Sequence, residues 1–261
     1  MYSDQKRKLQ QALQCHADPA RKAWWEKYVN GSAPFMGTRM ADIRKVLHQW
    51  YKQSVRENLG DLAQLELALS LFDAQYTEEK LAGILFLQEI LLPSGVITHE
   101  RDIDRFAALF TSGSITDWNV CDWFCVKVLG PLIREAGPDC ADRISKWRDA
   151  DNLWQARASL VPFVKVAKEC AYYPIIELSC GVLIRREERF AKTAVGWILR
   201  EISKCDDAFV RRIIEENLKH FSAESLKNAT SYFSRETRDH LKQKRAEEAG
   251  TVHGRPPGLH A

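Results

Sequence analysis

The stretch Ile115-Thr116-Asp117-Trp118-Asn119-Val120-Cys121-Asp122-Trp123 is where the fold and the chemistry of this chain first show together. It runs on into Phe124-Cys125-Val126 and reads as an apolar helix rather than an alternating strand. Trp118 and Asp122 stand four residues apart, so at 100° per residue they lie about 40° from each other, on one face and one turn apart. An aromatic plane beside a carboxylate can receive a cation. Asp is a weak helix former and is seldom buried without a partner, so its place here calls for a reason. The bland reading is that Asp122 pairs with a neighbouring helix or caps a backbone group while Trp118 is core.

Outward from this stretch the same helical period continues and strand alternation is nearly absent. The 13 glycines and 9 prolines fall between periodic runs as helix punctuation. The pattern predicts helices at 4–16, 18–29, 39–53, 60–71, 77–91, 99–110, 117–135, 138–148, 152–169, 172–183, 186–203, 207–218 and 222–245. Short helices pairing every 35–45 residues suit an all-α chain built as an α-solenoid of HEAT-like repeats, in which each pair buries its apolar stripe against its neighbours. A globular helical bundle is the other architecture compatible with these lengths. One domain is expected over 1–246, followed at 247–261 by a Gly- and Pro-rich tail without an apolar face, expected to be disordered.

A chain of 261 residues that is 45% hydrophobic can build a core. Its seven cysteines (15, 121, 125, 140, 170, 180, 205) form no CxxC pair or His-Cys cluster, so they read as reduced, mostly buried thiols with no metal among them. The N-terminus MYSDQKRKLQQAL lacks an apolar signal stretch, and no run approaches a membrane span. A cytoplasmic protein is expected, nucleoid-associated in a bacterium or nuclear in a eukaryote, with no membrane partner. The net charge of +3 proves no nucleic-acid partner, because 38 basic residues face 35 acidic ones. Distribution matters more than the sum. Basic residues are dense at Arg39/Arg44/Lys45, Arg185/Arg186/Arg189/Lys192, Arg211/Arg212 and Lys227/Arg235/Arg238/Lys242/Lys244/Arg245. Converging on one face they would form an anion-binding stripe; spread out, they are solvated charge.

Four patterns occur in order: Tyr28-Val29-Asn30-Gly31-Ser32-Ala33-Pro34-Phe35-Met36-Gly37 leading into Arg39 and Arg44, then Trp118-Asn119-Val120-Cys121-Asp122, then Asp151-Asn152-Leu153-Trp154-Gln155-Ala156-Arg157, then Ala194-Val195-Gly196-Trp197-Ile198-Leu199-Arg200-Glu201. Together they resemble the AlkD-type DNA alkylation repair glycosylases, HEAT-like solenoids that bind duplex DNA in a concave basic groove and excise positively charged N3- and N7-alkylated purines. The resemblance spans nearly all of residues 20–245. It implies that Trp118 and Asp122 are the catalytic aromatic and carboxylate, that Trp197 is a second aromatic facing the groove, and that Arg157 contacts phosphate. Arg39, Arg44, Arg200, Arg235 and Tyr28 complete the expected DNA-binding set. No cofactor is implied, and a monomer is expected. Two positions depart from the family pattern, Asn119 where an acid is usual and Ala156 where a second basic residue is common.

The residue types suit that chemistry independently. A purine alkylated at N7 or N3 carries positive charge and leaves as a neutral base without protonation, so no general acid is needed. The carboxylate of Asp122 can stabilise the oxocarbenium-like sugar and orient water at C1′. Trp118 and Trp197 can offer π faces to the cation, at about 0.5–2 kcal/mol per contact. No lysine stands directly beside Asp122 as a Schiff-base nucleophile, which favours a monofunctional enzyme. Taken singly, Arg157 also reads as a surface helix residue, Tyr28 as a hydrophobic contact, Trp197 as core, and Trp24, Trp25, Trp147 and Trp154 as core or capping aromatics. A catalytically silent HEAT-like scaffold that binds DNA structures or protein partners is the alternative.

Overall fold

The computed structural model describes the backbone of residues 2–251 and the side chains of residues 2–248. The helices in chain order are α1 Ser3–Gln14, α2 Pro19–Tyr28, α3 Met40–Trp50, α4 Asp61–Ser70, α5 Thr77–Phe86, α6 His99–Thr111, α7 Trp118–Phe124, α8 Gly130–Ala136, α9 Pro138–Ser145, α10 Leu153–Ala158, α11 Tyr173–Leu183, α12 Arg189–Ile202, α13 Asp207–Asn217, α14 Ala223–Ala229 and α15 Arg235–Thr251. No strand occurs among the described residues, and the chain is all-α. It divides into two compact units, one ending at Arg143 and one beginning at Ile144.

In the first unit α5 is the central helix. It is buried on every side, from Thr77 and Glu78 through Leu81, Ile84, Leu85 and Phe86, as a helix wrapped by others must be. Amphipathic helices cover it. On α3 the buried Ile43, Val46, Leu47 and Trp50 follow helical spacing, and the Trp50 indole N–H donates to Gln5 O at 2.9 Å, tying α3 to α1. Phe124 at the end of α7 enters a ring cluster with Phe72, Phe106 and Phe110, its centroid 5.5, 5.4 and 6.2 Å from theirs. That cluster fixes α7 in the core.

Helices α3, α5 and α7 each end in one wide π-helical turn, at Tyr51–Val55, Leu87–Leu91 and Cys125–Leu129, starting 36 and 38 residues apart. A π turn inserts one extra residue into the helical ladder and is uncommon, and here it recurs at near-equal intervals.

In the second unit α12 carries the longest regular stripe, with Ala191, Ala194, Val195, Ile198, Leu199 and Ile202 all buried. It packs closely on α14. A Cβ added at Gly196 would lie 2.7 Å from Ser225 O, so glycine at this position lets the two backbones meet.

Two expected helices are broken. The run at 152–169 keeps only α10 before a short 3-10 turn at Val161–Lys165, because Ser159 Oγ bonds back to Ala156 O and Pro162 cannot donate to a continuing ladder. The run at 222–245 divides at 230–234, where the Ser234 hydroxyl accepts from Thr237 N and starts α15 afresh. Helix α15 then continues to Thr251, past the start of the tail expected at 247, and the rest of that tail lies outside the described residues.

Candidate active site and nucleic-acid contacts

Helix α7 starts where it does because Asp117 caps it. The Asp117 carboxylate accepts the N–H groups of Asn119 and Val120 at 2.8 and 3.0 Å, satisfying donors that a helix start leaves open. Asp117 itself is buried. Burial pushes its carboxyl above the usual range, while those two N–H groups and the charge of Lys80 pull it back in part. Lys80 donates to Ser114 O at 2.7 Å in the loop just ahead, and burial lowers its ammonium pKa against the raising influence of Asp117 and Asp73.

From the capped helix Trp118 and Asp122 project together, both half-buried. The Tyr28 ring meets the Trp118 indole edge-on, with centroids 5.8 Å apart and planes at 72°. Behind Tyr28 stands Trp24, stacked on it at 5.1 Å with planes 9° apart. Trp24 and Tyr28 are 55% and 56% exposed, so of the two readings of Trp24, core or capping aromatic, the core one does not hold. Trp25 turns inward and stacks on Phe35 at 5.5 Å. Three aromatic side chains thus stand in sequence, the last of them beside the carboxylate-bearing face of α7.

The loop after α2 is braced from beneath. The buried Glu78 carboxylate accepts the N–H groups of Met36, Gly37 and Thr38 at 2.9, 2.7 and 3.2 Å. Gly37 has φ +88°, and a Cβ there would fall 2.1 Å from Asp18 O, so no side chain fits. Arg21 donates to Gly37 O at 3.0 Å from the other side. This frame holds the exposed Arg39 at the start of α3, on the wall of a cavity of about 320 Å³ shared with Trp25, Phe35, Asn119 and Trp123. Asn119 and Trp123 are one turn apart on α7, next to the Trp118–Asp122 pair in the helix, so the cavity borders the same helix. Lys127 lies over the Trp123 ring at 5.4 Å.

Arg44 does not join this group. Its Nε donates to Glu89 at 2.7 Å, and His48 reaches the other Glu89 oxygen at 2.8 Å. Burial raises the Glu89 carboxyl, but these two partners prevail and hold it below the ordinary value.

In the second unit Arg157 is only 4% exposed. Its guanidinium donates to Phe190 O at 2.6 Å and Thr193 Oγ1 at 3.2 Å, and lies 6.0 Å from the Phe190 ring centre, tying α10 to α12. Asn152 caps α10 through Trp154 N and Gln155 N at 2.9 and 3.0 Å, and the Trp154 ring sits 5.1 Å from Phe190. Trp197 is half-buried on α12. Arg200, one turn on, bonds Glu201 at 2.9 Å and Asn228 at 3.3 Å. Arg235 is exposed at the start of α15, 3.7 Å from Asp239.

Sequence reading missed four contributors: Asp117, Glu78, Trp24 and Phe190. An Asp directly ahead of an apolar periodic run is a helix-start signal that could have singled out Asp117. The four-residue spacing of Trp24 and Tyr28 is the one that picked out Trp118 and Asp122. Glu78 and Phe190 act through contacts distant in sequence and leave no local mark. Among the described residues no group of three His, Cys, Asp or Glu side chains can hold a metal, and no helix is long and apolar enough to cross a membrane.

No curated protein matches the chain. A solved structure described as a predicted DNA alkylation repair enzyme from Enterococcus faecalis is similar in fold, with a TM-score of 0.72 over 84% of this chain and 98% of that one, at 18% sequence identity. The profile of a family described as DNA alkylation repair enzymes matches residues 9–233. With that match running from α1 into the segment between α14 and α15, the chain belongs to the DNA alkylation repair enzyme family.

Proposed function

We propose that the protein is a monofunctional DNA glycosylase that hydrolyses the N-glycosidic bond of positively charged N3- and N7-alkylated purines, such as 3-methyladenine and 7-methylguanine, in duplex DNA. The observation that carries this reading is the half-buried Trp118–Asp122 pair on α7 with the Tyr28 ring set against Trp118. A cation-receiving aromatic surface and a carboxylate are what such a substrate needs, and family membership favours alkylation repair over other uses of the pair.

In the proposed reaction the C1′–N9 bond breaks, its electron pair returns to the alkylated ring, and the base leaves neutral. Positive charge passes to the deoxyribose, where the Asp122 carboxylate stabilises it and orients a water. The water oxygen bonds to C1′ and its proton passes to Asp122 or solvent. Trp118, with Trp197 as a second aromatic, holds the cationic nucleotide by cation–π attraction, about 0.5–2 kcal/mol per contact. The base is released without obligatory flipping into a pocket. Neutral purines lack both the charge and the leaving-group activation.

The wider setting is proposed on the same terms. The helices form a HEAT-like solenoid with a basic groove, a reading supported by the repeated π turns of α3, α5 and α7. Arg39, Arg200, Arg235 and Tyr28 meet the DNA backbone. Arg44 and Arg157 do so from side chains already engaged, Arg44 by Glu89 and Arg157 by Phe190 and Thr193. The enzyme acts as a monomer wherever the chromosome lies.

Single-turnover excision on matched duplexes tests the reading. Release of 7-methylguanine and 3-methyladenine with hypoxanthine, uracil and 8-oxoguanine untouched is the expected result. Efficient release of a neutral base would overturn it, since that demands a protonating group.

A further inference from the structure

At the far end of the second unit, away in sequence from every residue of the proposed reaction, α14 and α15 enclose a cavity of about 450 Å³. Its wall carries Lys227 from α14 and Arg235, Arg238, Lys242 and Arg245 from α15, with Asp239 as the one acid. The sequence of α15 dictates this. Positions 235, 238, 242 and 245 fall within about 80° of one another at 100° per residue, forming one cationic stripe. Leu241, buried beside the stripe, turns it toward α14, and the floor between the helices is the buried Leu226 and Thr230.

Five cations share this space with one carboxylate, and Asp239 stands 3.7 Å from Arg235. Among the described residues Lys227, Arg238 and Lys242 have no ion pair. Arg245 donates to Phe221 O at 3.3 Å, while its Nε is buried with no acceptor. A buried donor without a partner costs about 1–3 kcal/mol, and clustered like charges repel, so an arrangement of this kind is stabilised by an anion. Other arginines of this unit are met by acids, as Arg189 is by Glu224 and Arg212 by Glu177, both at 2.7 Å. Guanidinium forks and ammonium groups around a space of this size match the oxygens of phosphate.

We propose that the α14–α15 cavity is a phosphate-binding site separate from the reaction centre, taking either backbone phosphates of a nucleic acid or a free phosphate-bearing ligand. The proposal deepens the DNA-binding reading for Arg235 but its first test does not depend on it.

Arg238 and Lys242 are exposed, so the variant Arg238→Gln/Lys242→Gln removes two charges without disturbing the fold; Lys52→Gln/Lys168→Gln, at exposed positions outside the cavity, is the matched control. Inorganic pyrophosphate at millimolar concentration is expected to raise Tm for the unaltered protein and the control but not for the cavity variant. Affinity for an undamaged duplex is then measured against salt. A slope reduced by about 0.9 per lost contact, roughly two in all, in the cavity variant alone assigns the site to DNA phosphates. An unchanged slope with a lost pyrophosphate effect assigns it to a free ligand. If both protein variants respond alike to pyrophosphate and to DNA, the site does not exist. Neither measurement involves base release, so this outcome is independent of the proposed glycosylase activity.

Discussion

Tyr28 and Trp118 lie 90 residues apart in the chain, and their rings meet edge to face at 5.8 Å. The contact links the exposed end of α2 to the helix that bears Asp122. An edge-to-face pair contributes about 0.5–1.5 kcal/mol beyond its buried area. If it orients Trp118 for the cationic nucleotide, Tyr28→Phe retains excision of 7-methylguanine and Tyr28→Ala lowers it roughly three- to ten-fold, by the same energy converted to rate. A double-mutant cycle with Trp118→Ala measures the coupling. Purely additive losses would separate the two residues.

The cap of α7 gives a second test. Asn replaces Asp at a helix start with little cost, whereas Ala costs about 1 kcal/mol. Because burial raises the Asp117 carboxyl, its ionisation also opposes folding. A raised folded value means that this group contributes most stability below the ordinary Asp pKa of about 3.9 and loses it as pH rises through the folded value. Asp117→Asn is therefore expected to be neutral or stabilising at pH 7 and to remove that loss, while Asp117→Ala lowers stability and excision together. Urea denaturation at pH 4 and pH 7 distinguishes the two.

The fold was largely legible in the sequence, and the points of failure have local causes. The α12 stripe from Ala191 to Ile202 and the α3 stripe from Ile43 to Trp50 follow directly from residue spacing. The breaks after Ala158 and Ala229 were written in side chains that compete with the ladder, Ser159 and Thr230, whose effect is felt only once their bonds to Ala156 O and Leu226 O form. At the site, the Trp118–Asp122 face was legible because it is local to one helix. Arg44 and Arg157 look free in sequence, yet Glu89 lies 45 residues from the first and Phe190 33 residues from the second. No local pattern announces such partners, nor the exposure of Trp24.

Arg157 follows a different rule from a surface arginine. Nearly buried, and bonded to Phe190 O and Thr193, it cannot be removed without leaving acceptors behind, at about 1–3 kcal/mol. Arg157→Ala is expected to lower Tm as well as weaken binding to damaged and undamaged duplexes alike, with the salt slope reduced by about one contact. Arg157→Lys keeps the charge but loses the fork. A lowered Tm with an unchanged slope would leave Arg157 a packing role alone.

Asp102 sets an acid limit to stability in the first unit. It is fully buried, which by itself raises its carboxyl, but Arg101, the Thr98 N–H and Arg105 outweigh burial and hold it below the usual value. A lowered folded value contributes stability above the ordinary Asp pKa of about 3.9 and loses it as pH falls through the folded value. Asp102→Asn should therefore be less stable than the unaltered protein at pH 7 and lose less on acidification from pH 5 to pH 2, as followed by denaturant midpoints. Parallel curves for the two proteins would rule out this part for Asp102.

The central claim is that Asp122 stabilises charge in the transition state rather than binding DNA. Its most direct test is the single-turnover rate of 7-methylguanine release from a duplex by the unaltered protein and by Asp122→Asn, with duplex affinity measured beside it. The account predicts a rate lower by about 10²–10³, with affinity within a few-fold, because one preorganised group has been lost from the transition state alone. Undiminished release by Asp122→Asn would contradict it.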